Sequence, residues 1–263
     1  MEGVGLQCKG YQKSTYFEAH NPESLNLSGF QLFLIINKKY FFVKKSVKMR
    51  KVLIAGASGL VGTEVLRELQ NIPTIEKIIV LVRRPIENAN PVLQQVQVDF
   101  ENLAASSDCF KDIDTVFCCL GTTIKKAKSK EAFRKVDYEF PMALALLSVQ
   151  QNVKNFLCIT AMGADPSSSV FYSRVKGEVE RDISKCQIPS ISFFRPSLLI
   201  GDRKESRPAE KAGIIVAKAL SFLFIGPLKN YKGISVQKVA KAMVERGQHP
   251  VPGVQIVLSG EMQ

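Results

Sequence analysis

From residue 49 onward the apolar positions of the chain fall into two alternating rhythms. Short runs with almost no polar interruption read as strands buried on both faces. They are Val52–Ala55, Lys77–Val82 (KIIVLV), the brief Val96–Val98, Ile113–Leu120 (IDTVFCCL), Asn155–Thr160 (NFLCIT), the sixth with its exit loop over Ile191–Ile200, and Val254–Leu258. Between them the apolar residues return every three or four positions, as on one face of a helix. Gly59–Leu69 carries Leu60, Val61, Val65, Leu66 and Leu69 on one side. Ser129 is placed to cap a helical region that runs around Pro141 to Leu147, Val170–Ser184 is helical, and Ser235 opens a last helix that Gly247 stops. Strands and helices in alternation predict an α/β fold, a doubly wound parallel sheet in a single domain over residues 49–263. Ligands of such sheets sit at the carboxyl ends of the strands.

Residues 1–48 do not share this rhythm. Their apolar run FQLFLII (30–36) is broken by Asn37-Lys38-Lys39, and a mixed stretch precedes it where a secretory signal would begin with its apolar core. The stretch contains no Arg, unlike a mitochondrial presequence. It reads as a poorly ordered N-terminal extension, and no run in the chain reaches the ~18 apolar residues of a membrane span.

Composition changes this picture little. The net charge of +12 is spread along the chain without a dense basic stripe, which argues against specific nucleic-acid binding and suits phosphate-bearing ligands. Two histidines far apart make a His-based metal site unsuitable, so no metal is expected. Six cysteines, with Cys118 and Cys119 inside an apolar run, read as free thiols of a reducing cytoplasm, and the expected location is cytoplasmic.

The first strand leads directly into Gly56-Ala57-Ser58-Gly59-Leu60-Val61-Gly62 and then into a helix. Glycines at this spacing permit a tight turn, a close approach of backbone to pyrophosphate, and close packing of helix on strand. The helix start adds free N–H groups and the positive end of its dipole. This is the dinucleotide-binding turn of a Rossmann, NAD(P)-binding fold. An NAD site usually places an acidic residue ~20 positions on, to bond the ribose 2′-hydroxyl. Here Arg83 and Arg84 follow the second strand, 21 and 22 residues after Gly62, and guanidinium suits a 2′-phosphate. NADP is therefore expected in preference to NAD. Asp99 and Phe100, after the third strand, are expected at the adenine, and Leu120, Gly121 and Thr122, after the fourth, beneath the cofactor.

Tyr172 and Lys176 lie four residues apart on a helix and share a face. A phenol is a poor acid at neutral pH, and a neighbouring ammonium favours its ionised form. Tyr172 is placed to give a proton to a carbonyl oxygen as hydride reaches the carbon. Thr160, at the end of the fifth strand, is expected to hydrogen-bond the same oxygen.

The glycine turn together with Thr160, Tyr172 and Lys176 resembles the short-chain dehydrogenase/reductase superfamily in its extended or atypical branch. The strings CCLGTT (118–123), SKEAFRKVDYEF (129–140), GADPSSSVFYSRVKGEVE (163–180) and FFRPSLLIGDRKESRP (193–208) are similar to the Tat-interacting, NADP-binding oxidoreductase family and its bacterial homologues. The likeness runs from residue 49 to about 250 and has no counterpart for 1–48. It implies that Tyr172 is the proton donor, that Lys176 also holds the cofactor ribose, and that Pro196 borders the nicotinamide. Asp137 stands in the region where many members of the superfamily carry an Asn that joins a proton relay. The resemblance implies two classes of function: an NADP-dependent oxidoreductase acting on a carbonyl or alcohol of a small molecule, and an NADPH-binding redox sensor that works through a protein partner. Arg203, Lys204 and Arg207 lie in the segment, 201–232, expected to form the substrate side.

Overall fold

Strands rich in Val, Ile and Leu need both faces covered, and the chain achieves this with one parallel sheet between two helical layers. The computed structural model describes residues 49–87, 90–200 and 232–263. Its strands are β1 (Lys51–Ala55), β2 (Lys77–Val82), β3 (Leu93–Gln97), β4 (Thr115–Cys118), β5 (Asn155–Ile159), β6 (Ser190–Arg195), the short pair β7 (Leu199–Ile200) and β8 (Ile234–Ser235), and β9 (Gly253–Leu258). Seven of them form the main sheet in the order β3-β2-β1-β4-β5-β6-β9. Every pairing within it is parallel. The chain winds outward from β1 to β3, then returns to place β4 on the other side of β1. The winding direction reverses between β1 and β4, and a ligand crevice forms at that point.

The helices are α1 (Leu60–Gln70), α2 (Ile124–Ala127), α3 (Lys130–Arg134), α4 (Phe140–Gln150), α5 (Phe171–Ile183) and α6 (Val236–Gln248). One core lies between the sheet and α1 with α6, built on Val52, Ile54, Val65, Leu69, Phe117, Val239 and Met243. The other lies against α4, α5 and the 3₁₀ stretch Phe100–Phe110, built on Leu53, Val116, Leu144, Phe156, Val179 and Phe193. Alternate residues of β1 point to opposite cores, and burying each Val, Leu or Ile contributes ~1.5–3 kcal/mol. No helix of the described residues is long and apolar enough to cross a membrane.

Several expectations need correcting. β3 begins three residues earlier than expected because it is an edge strand with polar residues: Gln95 exchanges two hydrogen bonds with the backbone of Ile86, 2.8 Å to its N–H and 2.6 Å to its carbonyl. Gly247 does not stop the last helix, which continues to Gln248. It lies on the buried face, where a Cβ would come within 2.7 Å of the Phe117 ring and 3.0 Å of the Met49 sulfur. Ser129 and Ser235 do cap their helices, accepting from the N–H groups of Ala132 and Lys238. Residues 1–48, and Arg203, Lys204 and Arg207, lie outside the described residues.

Candidate active site

The turn after β1 folds back beneath the exit of β4. Gly56 has φ of +88°, and a Cβ there would lie 2.5 Å from the Cys119 carbonyl oxygen. At Gly62 a Cβ would lie 2.1 Å from the Gly56 carbonyl oxygen, so helix α1 can start this close to the strand only with glycine. A Cβ on Gly59 would lie 3.1 Å from the Gly56 carbonyl oxygen, closer than an ordinary contact. Gly59 is the N-cap of α1 and brings no capping side chain, and the first turn carries no acidic residue. Ser58 is exposed beside it, Leu60 is half-buried, and Val61 packs into the core. Uncapped N–H groups at a helix start that follows a side-chain-free glycine turn fit the pyrophosphate of a dinucleotide. A cavity of about 390 Å³ adjoins the turn, lined by Ala57, Ser58, Thr63, Arg67, Ile86 and Glu87 among others.

Arg83 and Arg84 lie exposed in the bend that follows β2, and neither guanidinium forms an ion pair among the described residues. Phe100 is buried and packs against Phe140 with ring centroids 5.4 Å apart, so its ring belongs to the core. Asp99 is exposed and caps the 3₁₀ stretch, accepting from the Glu101 N–H at 2.9 Å.

Lys176 lies on the buried face of α5, one turn beyond Tyr172. Its ammonium is 2.8 Å from Asp137 Oδ1, and both side chains are almost fully buried. The other Asp137 oxygen accepts from the N–H of Thr122 at 2.9 Å. A Cβ on Gly121 would lie 3.4 Å from Asp137 Oδ1 and 3.7 Å from Lys176 Nζ. The Leu120–Thr122 segment therefore lies directly against the pair. Burial works against the Lys176 ammonium, but the Asp137 carboxylate and Tyr172 outweigh it and hold its pKa above the ordinary value. The Tyr172 ring packs on Phe133 with centroids 5.6 Å apart.

Asp137 reaches this place by a local irregularity. Between α3 and α4 the backbone makes a π turn over Lys135–Glu139, with the Phe140 N–H bonding the Lys135 carbonyl. The wider turn directs Asp137 inward and is followed by Pro141, which sits in the first turn of α4.

Thr160 lies at the exit of β5. Its hydroxyl is buried and donates to Glu180 Oε1 at 2.5 Å, with the Phe194 carbonyl at 3.2 Å. Glu180 also receives Arg195, whose Nε lies 3.1 Å from both carboxylate oxygens. The hydroxyl proton is thus engaged within the protein by Glu180. Glu180 was not foreseen, although it continues the spacing of Tyr172 and Lys176 along one helix face. Pro196 is buried at the end of β6, and its carbonyl accepts from the Met162 N–H at 3.0 Å, tying the exits of β5 and β6 together.

Comparison with known proteins now bears on the site. The model of the HIM1 family matches residues 73–223. The chain belongs to the HIM1 family. The protein HTATIP2 of Rattus norvegicus is 39% identical over 165 residues, covering 61% of this chain and 67% of that protein. The protein FMP52, mitochondrial, of Candida albicans is 33% identical over 157 residues, 58% of this chain and 69% of that one. Among solved structures, MoeE5 in complex with UDP-glucose and NAD superposes with a TM-score of 0.59 at 18% identity, covering 78% of this chain and 74% of that one. The enzyme WbmH of Bordetella bronchiseptica in complex with NAD⁺ gives 0.61 at 17% identity, with 81% and 76% covered. The chain is related to HTATIP2, and its Rossmann fold is that of these NAD-bound structures. The cytoplasmic location expected from the cysteines is overturned, because several fungal relatives are named mitochondrial. Free thiols report a reducing surrounding and carry no address.

Proposed function

We propose that this HIM1-family protein binds NADPH and transfers hydride to a carbonyl group of a small molecule. The observation that carries the reading is the buried Lys176, held against the Leu120–Thr122 segment at the strand exits, one helical turn from Tyr172. The glycine turn and the start of α1 would hold the pyrophosphate, Arg83 and Arg84 the 2′-phosphate, and Lys176 the ribose next to the nicotinamide. The solved relatives with NAD bound have the same fold, which supports a nicotinamide cofactor at this crevice. NADPH, when bound, supplies the hydride. Lys176 keeps its positive charge through neutral pH, and as an ammonium it would donate to the ribose and to Tyr172. Tyr172 gives its phenolic proton to the substrate oxygen, and Pro196 closes the pocket floor with the exit of β5. Leu120, Gly121 and Thr122 support the cofactor from below.

A second reading is an NADPH-binding redox sensor acting on a protein partner. One observation favours it: the Thr160 hydroxyl is engaged by Glu180, which leaves the substrate oxygen one donor short. Turnover separates the two readings. A panel of carbonyl compounds is offered with NADPH and absorbance at the nicotinamide band is followed. In the reductase, Tyr172→Phe leaves NADPH binding in place and lowers kcat by ~10²–10⁴-fold. Tight NADPH binding without turnover of any compound favours the sensor. A Tyr172→Phe protein that reduces its substrate at the parent rate refutes the assignment of Tyr172.

A further inference from the structure

We infer that Asp137 is a positioning residue: its carboxylate clamps the Lys176 ammonium to the Thr122 N–H and so couples the segment beneath the cofactor to the helix that carries Tyr172. The inference deepens the site assignment above and rests on it only where cofactor is concerned. Three independent features carry it. Asp137 is 1% exposed and Lys176 4%, so neither charge is offset by water. One carboxylate oxygen faces the ammonium at 2.8 Å and the other the Thr122 N–H at 2.9 Å, which spans two separate elements. The backbone gives up regular α-helix at Lys135–Glu139 to bring this side chain inward, and π turns of this kind gather at functional sites.

Other groups near Lys176 do not replace the carboxylate. Tyr172 lies on the same helix, Cys158 on β5 and Cys118 on β4, and Glu180 one turn further along α5 is taken by Arg195 and Thr160. A hydrogen bond from Cys158 draws the Cys118 thiol below its usual range, with Lys176 adding to the effect and Asp137 opposing it, and the Cys158 thiol is raised.

The test is Asp137→Asn, read by thermal melting from pH 6 to 10. Asn keeps the size and can still accept from the Thr122 N–H, but it leaves the buried ammonium unpaired. In the parent the raised Lys176 pKa makes its stabilising effect complete below about pH 10 and lost only above. In the variant the unpaired ammonium is costly at neutral pH and is relieved as it loses its proton. The clamp therefore predicts a melting temperature lower by about 5–15 °C at pH 7, with the gap narrowing as pH rises. A gap that stays constant with pH overturns the clamp, since loss of packing or of one hydrogen bond does not titrate. If Asp137→Asn yields no folded protein, Asp137→Asn combined with Lys176→Met decides. Recovery of folded protein supports the clamp, and failure to recover overturns it. The coupling to cofactor is read by NADPH titration, where Asp137→Asn is expected to bind at least ~10-fold more weakly at pH 7. Equal affinity in parent and variant overturns the coupling. A parent that binds no nicotinamide cofactor refutes the proposed function instead, and the melting comparison still judges the clamp.

Discussion

Gly177 sits between Lys176 and Glu178 on the buried face of α5, and replacing it with Ala sets two effects against each other. In a helix interior Ala is the better residue by ~0.5–1 kcal/mol. The added Cβ, however, would lie 2.2 Å from Asp165 C and Pro166 N, and an ordinary contact begins at 3.4 Å. The loop after β5 would have to move outward by about 1 Å, because main-chain atoms cannot turn aside as a side chain can. That loop is held to α5 by the Asp165 N–H on the Ser173 carbonyl at 3.1 Å and to β6 through Met162. Overpacking of this kind costs ~1–3 kcal/mol, and loss of the loop contact adds to it. The net expectation is a loss of ~1–2 kcal/mol, or a melting temperature lower by ~2–8 °C. Urea unfolding of parent and Gly177→Ala measures it, and NADPH titration of the same samples shows whether the shifted loop disturbs the site. Gly247→Ala is the contrast, because its Cβ meets the movable ends of Phe117 and Met49, and its loss should be smaller. A Gly177→Ala protein as stable as the parent, or more stable, refutes the close packing of loop on helix.

Further outcomes are expected. Replacing Arg83 and Arg84 together with Ala should weaken NADPH binding by a few kcal/mol, on the order of two charge-assisted hydrogen bonds, while leaving NADH binding nearly unchanged; calorimetric titration with both cofactors checks it. Asp182 accepts from Tyr138, Arg181 and Lys185, and these partners hold its carboxyl well below the usual range. Its contribution is complete above pH ~4 and fades as pH falls toward its lowered folded-state pKa, so Asp182→Asn should melt slightly lower at pH 7, with the gap to the parent narrowing steadily below pH ~4. A chain starting at Met49, which is buried in the core, should fold and bind NADPH like the full chain, as circular dichroism and titration would show.

The central strands were legible in the sequence because both faces of each are covered, which leaves an unbroken run such as KIIVLV. Edge strand β3 was only half legible, since water on one side allows LQQVQ. The 3₁₀ stretch Phe100–Phe110 and the π turn carry no periodic signal, because their bonding depends on what they pack against. The glycine turn and the Tyr172–Lys176 spacing could be read because each is local. The partner of Thr160 could not, since Glu180 is 20 residues away and meets it only once α5 lies on the sheet. Asp137 was visible as a residue, but its direction depends on the extra width of one helical turn.

That extra width also sets a rotational phase. Each residue of an α-helix turns the chain by ~100°, and the π turn inserts one residue's worth of lag between α3 and α4. Deleting a single residue from 135–139 would let the two halves join as one regular helix with better backbone bonding. The same deletion would turn α3 by about a quarter of a circle against α4. Phe133 would then leave Phe171 and Tyr172, which it now touches at 5.7 and 5.6 Å between ring centroids. The chain thus keeps a helix that is locally out of step so that its two halves can address two different neighbours, the hydrophobic core behind and the tyrosine in front.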